Sequence, residues 1–320
     1  MMADTPARGE VLVSEHERAA IEIEDLVVSY GRNRAVDELS LTVPVGSVYG
    51  FLGPNGAGKT TTIKTLLGFR RPDGGSALVY GYDVVKESIE VRAWVGFASE
   101  VNSLYEGMTV PQICEFCRDV SRSWDQALVD RYLGVFGVPE ETKVRKLSEG
   151  QKAQLQLCLA LGSNPEVLIL DEPTSGLDPV VRRAFLKVLV GEVATEGRTV
   201  FFSTHLLSDI EAVADAVGII KNGRLVVSDN LDHLREVHQV FRLTYAEPPP
   251  EEEVRALRDL PGVLDAEREG RGVRLRARGD VEVVARAVRE RPYAVRDVEG
   301  YVLSLEDIFV GYIEENGDGR

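Results

Sequence analysis

The 320-residue chain is poor in cysteine, with Cys114, Cys117 and Cys158 the only three. Cys114 and Cys117 form a C-x-x-C, a spacing tied elsewhere to zinc or redox chemistry. A structural zinc site takes four ligands, and Cys158 has no histidine beside it. Ile113, Phe116 and Val120 form an apolar helix face to which the two cysteines add, so packing is the expected role. Long apolar runs are missing too. No stretch approaches the ~18 residues that span a bilayer. The N-terminus, MMADTPARGE, lacks the basic-then-apolar layout of a secretory signal. A cytosolic location is expected, with peripheral attachment to a membrane protein left open. Basic residues are outnumbered, 37 against 52 acidic, for a net charge of −15. An acidic surface repels phosphate backbones, so nucleic acid is a poor expected partner unless a local basic patch intervenes.

What is present is a soluble globular composition, 44% hydrophobic and 28% charged, long enough for one large domain and a smaller one. Residues 1–20 are polar and aperiodic and read as a flexible tail. From Ile21 to about 235, short Val/Ile/Leu strands alternate with helices, the pattern of an α/β domain. The clearest strands, 47–52, 167–170 and 199–203, are apolar nearly throughout, as strands covered on both faces must be. Between about 108 and 165, Met108, Ile113, Phe116 and Leu128, Tyr132, Phe136 recur at helical spacing, which predicts a helical subdomain. A second unit spans 236–320. A strand at Gln239–Tyr245 is followed by a helix with Pro250 at its first position and Glu251–Glu253 at the positive end of the dipole. Strands at 262–268 and 272–278, a helix at 280–290, a strand at 292–298 and a closing helix from Ser304 complete it. That order, β-α-β-β-α-β, is the ferredoxin-like α+β pattern.

Chemistry concentrates in three stretches. Gly53–Thr61 (GPNGAGKTT) follows the apolar run Val48–Leu52 and precedes helically spaced Ile63, Leu66 and Leu67, with Gly68 as the cap. A strand feeding a glycine turn that opens a helix aims free N–H groups at one point. Gly56 and Gly58 let the backbone curl round phosphates, Lys59 adds charge at the β/γ end, and the Thr60 hydroxyl suits magnesium. Val167–Glu172 is an apolar strand ending in two carboxylates. Asp171 is placed to order magnesium through a water, and Glu172 to polarise an attacking water. Leu147–Gln151 (LSEGQ) puts a serine and a glycine at a helix N-terminus, a second anion-binding feature that is otherwise a plain N-cap. One nucleotide has no use for two such sites unless they face each other across a dimer.

These stretches resemble the ATP-binding subunit of an ABC transporter over residues 21–235: Walker A at Gly53–Thr61, the LSGGQ signature at Leu147–Gln151 and Walker B at Val167–Glu172. Ser175–Asp178 resembles the D-loop, His205 in FFSTH the switch histidine, and Tyr30 in VVSYG the aromatic residue that stacks on adenine. The resemblance implies a P-loop NTPase core of ABC type that binds ATP with Mg²⁺. Tyr30 would hold the base, and Asn55, Gly56, Ala57, Gly58, Lys59, Thr60 and Thr61 the triphosphate. Thr60 and Asp171 would position Mg²⁺, Glu172 would be general base, and His205 would contact the γ-phosphate. Ser148, Gly150 and Asp178 would reach a second copy of the chain. There are two departures. Glu149 replaces the first signature glycine, and Glu100 stands at the Q-loop glutamine position, where it becomes a candidate metal ligand. The ending LSLEDIFVGY resembles ATPase subunits of bacterial drug and antibiotic exporters.

The expectation is therefore an ATPase homodimer that drives a separate permease from the cytoplasmic face of the membrane. The rival is a soluble ABC ATPase with a regulatory, ribosomal or DNA-linked role. Lys59 and Ser148 are too close in sequence to enclose the long coiled coil of the DNA-linked members, and one cassette replaces the two of the translation-linked ones.

Overall fold

The computed structural model describes residues 19–100, 104–139, 141–279, 281–289 and 295–315. The expected N-terminal tail lies outside the described residues up to position 18; from Ala19 the chain is already a strand.

β1 (Ala19–Tyr30) and β2 (Asn33–Pro44) pair antiparallel, joined through Gly31 at φ 62°. β3 (Val48–Leu52) is buried at all five positions and runs into the glycine loop and α1 (Lys59–Leu66), which Gly68 ends in the left-handed region. β4 (Gly74–Val79) and β5 (Tyr82–Asp83) return to the first sheet, giving the order β2-β1-β4-β5. α2 (Ser88–Trp94) and β6 (Val95–Ser99) follow.

The expected helical subdomain is α3 (Val110–Val120), α4 (Gln126–Phe136) and α5 (Glu149–Gly162), with no strand among its described residues. Local chemistry sets the ends. Thr109 and Gln112 form a reciprocal capping box, Asp125 accepts the Leu128 N–H at 2.9 Å, and Gly137 closes α4 at φ 64°. Cys114 and Cys158 are buried in the apolar cluster of this region and form no disulfide. Burial pushes the Cys114 thiol up to about 12 and raises that of Cys158 as well.

β7 (Val167–Asp171), α6 (Pro179–Glu196), β8 (Thr199–Thr204), α7 (Leu207–Val213), β9 (Ala216–Lys221) and β10 (Arg224–Asn230) complete the main sheet, in the order β10-β9-β3-β8-β7-β6. It is parallel from β9 to β6. Its strands read as unbroken apolar runs because both faces are covered. Leu168, Leu170, Val200 and Phe202 enter one core cluster, while Val167, Ile169 and Phe201 enter the other.

α8 (Leu231–Val237) leads to β11 (His238–Tyr245), α9 (Glu251–Arg258), β12 (Val263–Glu269), β13 (Gly272–Arg278), α10 (Val281–Arg289), β14 (Val295–Val302) and α11 (Leu305–Glu315). The sheet order is β12-β13-β11-β14, every neighbour antiparallel. Two boundaries differ from the sequence reading. Pro250 is the N-cap of α9, one residue before its first turn. The last strand extends to Val302, because it pairs with β11 as far as Gln239; positions 292–294 lie outside the described residues. α11, capped by Ser304, turns back toward the first unit. Leu305, Ile308 and Tyr312 share a core cluster with Ile210, Leu231 and Leu234, and α11 packs on α7 and β10.

Candidate nucleotide site

Strand register builds the site. Leu52 is paired with Thr204, and Asp171 with both Ser203 and Ser99. The next residues along these strands, Gly53, His205, Glu172 and Glu100, therefore emerge at one carboxyl edge, where open α/β sheets place their ligands.

The loop from Gly53 closes over this edge. Gly58 sits at φ 115°, and a Cβ there would lie 2.4 Å from the Ala35 carbonyl oxygen, so both conformation and space demand glycine. Gly56 is also left-handed, but a Cβ on it would meet nothing within 4 Å, so this side of the loop is open to a ligand. Lys59 is 5% exposed, and its Nζ donates to the carbonyls of Gly53 (2.6 Å) and Pro54 (3.2 Å). It also lies 3.0 Å from Glu172 Oε1, an ion pair that lacks hydrogen-bond geometry and leaves that buried oxygen without a hydrogen bond.

Glu172 adopts φ 48°, a region other than glycine rarely enters, which marks a strained position where the chain leaves β7. The turn is held by the Glu172 N–H donating to Ser203 Oγ at 2.9 Å. Its second carboxylate oxygen lies 2.8 Å from His205 Nδ1. Lys59, Glu172 and His205 thus form one chain of contacts across the sheet edge. Beside it, Asp171 Oδ1 accepts from Thr60 Oγ1 (3.1 Å) and from Ser203 Oγ (2.7 Å). A hydroxyl and a carboxylate oxygen side by side at a phosphate loop are the hard-oxygen donors that Mg²⁺ prefers, so the residues fit that ion. Ser203 escaped the sequence reading, although a polar residue ending the apolar strand β8 was a signal for it.

The other predicted residues lie in different settings. Tyr30, at the end of β1, is half exposed, and the Arg70 guanidinium stands 5.0 Å over its ring. Glu100 accepts a hydrogen bond from Ser175 Oγ at 3.0 Å, which places its carboxylate against the 172–178 segment. Ser148 and Gln151 form a capping box at the start of α5 (3.0 and 3.2 Å). Asp178 accepts the N–H groups of Val180 and Val181, which caps α6. Among the described hydrogen bonds, none joins Ser148 or Asp178 to the phosphate loop.

Comparison with known proteins sorts this geometry. The family model described as ABC transporter matches residues 36–175. A bacitracin transport ATP-binding protein of Bacillus licheniformis is 38% identical over 223 residues, covering 69% of this chain and 73% of its own length. The chain belongs to the ABC transporter family, as one of its ATP-binding subunits. A daunorubicin/doxorubicin resistance ATP-binding protein of Streptomyces peucetius is 32% identical over 314 residues, with 94% of each chain covered. Among solved structures, an ATP-binding subunit of an ABC transporter matches with a TM-score of 0.61 at 27% identity, over 68% of this chain and 92% of that one. The sheet edge described above is therefore the candidate nucleotide end of this ABC ATPase. No described helix is long and apolar enough to cross a membrane.

Proposed function

We propose that this ABC subunit is the ATPase of an exporter, acting as a homodimer on a separate permease at the cytoplasmic face of the membrane. The observation that carries the reading is the division of the predicted residues. Lys59, Thr60, Asp171, Glu172 and His205 converge at one edge, whereas Ser148 and Asp178 cap their own helices and Gly150 lies in the first turn of α5. A half-site complete in phosphate and metal ligands but lacking its second anion donor needs another copy to close it.

In this reading Tyr30 stacks on the base, and residues from Asn55 through Ala57 and Gly58 to Thr61 wrap the triphosphate with backbone N–H groups. Lys59 leaves Glu172 for the phosphates. Thr60 and Asp171 would hold Mg²⁺, which would supply charge neutralisation to the phosphates. Glu172 then accepts a proton from water, and His205 holds the geometry through the contact it already makes with Glu172. Ser148 and Gly150 of one protomer close on the nucleotide of the other, and Asp178 crosses the same interface. Glu100 is a candidate third oxygen for the metal.

Export is supported by the relative that aligns over 94% of both chains, a resistance ATP-binding protein, because the alignment includes the C-terminal unit. We read that unit as a ferredoxin-like accessory domain, on its element order and sheet order. A permease surface is supported by aromatic pairs on either side of Glu100 in the chain, exposed Phe69 against the half-buried Phe97 and exposed Tyr105 against exposed Phe116. The test is light scattering on the Glu172→Gln protein, in which hydrolysis is blocked. With MgATP it is expected at twice the monomer mass, and with MgADP at the monomer mass. A monomer in saturating MgATP at high protein concentration would overturn the homodimer.

A further inference from the structure

Asp209 is a carboxylate with no exposed surface, on a seven-residue helix, and hydrolysis as laid out above does not use it. Its Oδ2 accepts from Thr174 Oγ1 at 2.5 Å and lies 3.5 Å from Thr204 Oγ1. Its Oδ1 is paired with the Arg182 guanidinium, which also donates to Ser208 Oγ. Each partner belongs to a different segment. Thr174 is two residues beyond Glu172. Thr204 precedes His205, and its hydroxyl accepts the Leu206 N–H at 3.0 Å, so that it brackets the histidine on both sides. Arg182 lies in the first turn of α6, and its own N–H donates to the carbonyl of Asp178 at 2.9 Å.

A buried charge is a poor device for stability, because its desolvation offsets most of what pairing returns. Its attested use is to fix one arrangement among several. Here it fixes the relative positions of three loops that meet at the phosphate end. The geometry points to Asp209 as a positioning residue for ATP hydrolysis, holding the base loop, the switch histidine and the D-loop in one register. This inference rests on the roles proposed for Glu172 and His205.

With Asp209 neutralised, the loops keep their backbone hydrogen bonds but lose the common anchor. Ground-state nucleotide binding, made by the phosphate loop and Tyr30, is left largely intact. The experiment compares Asp209→Asn, Thr174→Ala and Thr174→Ser with wild type, measuring MgATP turnover, nucleotide affinity by calorimetry, and thermal unfolding. Asp209→Asn is expected to lower kcat by ~10–100-fold with KM changed by less than ~3-fold. Thr174→Ala is expected to lower kcat in the same direction, and Thr174→Ser to restore it, since the serine hydroxyl can still reach Oδ2. The double variant Asp209→Asn/Thr174→Ala is expected to lose less than the product of the single losses, the mark of two groups acting as one unit. Should Asp209→Asn fail to fold, Thr174→Ala against Thr174→Ser carries the comparison alone.

Wild-type kcat in both Asp209→Asn and Thr174→Ala overturns the inference. So does a fall in nucleotide affinity and unfolding temperature that accounts for the loss of rate, which would make Asp209 merely structural. Glu172→Gln assayed beside them separates the two levels. If Glu172→Gln is inactive while Asp209→Asn and Thr174→Ala are both normal, the positioning role fails while the site stands. If Glu172→Gln turns over normally, the site assignment itself has failed.

Discussion

Replacing Glu172 by Gln tests the centre of the site in two measurements with opposite signs. Glu172 touches Lys59 on one side and His205 on the other, and in the proposed function Lys59 is the cation that meets the triphosphate. Nucleotide binding therefore has to take Lys59 from a carboxylate that is itself nearly buried. The gross attraction of unit charges at the observed 3.0 Å is about 5.5 kcal/mol at an effective dielectric near 20. Desolvation cancels most of that, and the pair has no hydrogen-bond geometry to add to it. A net ~1 kcal/mol is a reasonable residue, worth ~5-fold in affinity. Glu172→Gln removes this competition and also the repulsion between carboxylate and γ-phosphate.

The variant is thus expected to bind MgATP ~5-fold tighter than wild type binds a non-hydrolysable ATP analogue. Its gain for MgADP should be smaller, because the γ-phosphate is missing. Loss of the general base is expected to lower turnover by ~10²–10⁴-fold. Calorimetry gives the affinities and phosphate release the rate. Turnover at the wild-type level would remove Glu172 from the chemistry. Weaker binding of ATP would refute the argument that Lys59 is held back by Glu172.

Two further outcomes follow from contacts outside the phosphate loop. Glu100→Gln keeps an acceptor for Ser175 but removes a charge; if Glu100 meets the metal, ATP affinity should differ from wild type most when Mg²⁺ is scarce, and superimposable magnesium titrations would exclude it as a ligand. Ending the chain before His238 removes Val240, Leu305, Ile308 and Tyr312 from a core cluster they share with Ile210, Leu231 and Leu234; at ~1.5–3 kcal/mol per buried side chain the shortened protein is expected to unfold at lower temperature, and an unchanged melting curve would show that this packing is dispensable.

The strand, glycine turn and helix of the phosphate loop were legible because they need particular residue types at adjacent positions: an apolar run, then Gly56, Gly58 and Lys59. The helices α3 and α4 were legible from periodicity alone, since Ile113, Leu128 and Tyr132 had to face a core somewhere. Partners distant in sequence were not legible. Thr174 and Asp209 are 35 residues apart, and Glu100 and Ser175 are 75 apart. Each is an ordinary polar residue whose meaning depends on the strand register that brings its loop to the edge. Position 209 reads locally as an acidic residue in a helix's first turn, which the dipole alone would explain. The apolar residues of α11 likewise announced a buried face without saying what it would be buried against. Amphipathic pattern fixes that a face is covered, and only the tertiary structure fixes by which element.

That last point changes how the C-terminal unit bears on hydrolysis. α7 begins two residues after His205 and is only seven residues long, so it cannot flex along its length as a long helix can. Its Asp209 side is tied to the base loop and to α6, and α11 packs on the same short helix. Its inward side is locked as well. Gly50 in β3 has no side chain because Ile210 fills that space; a Cβ there would come within 2.1 Å of Ile210 Cδ1. α7 is therefore packed tightly against β3 on this side, while its face toward α6 borders an open groove lined by Arg182, Leu186, Val190, Ala212 and Val213. A displacement of α11 has a physical path to His205 through α7, which begins two residues after it. The C-terminal unit is joined to the segment after His205 by packing as well as by the connection through α8.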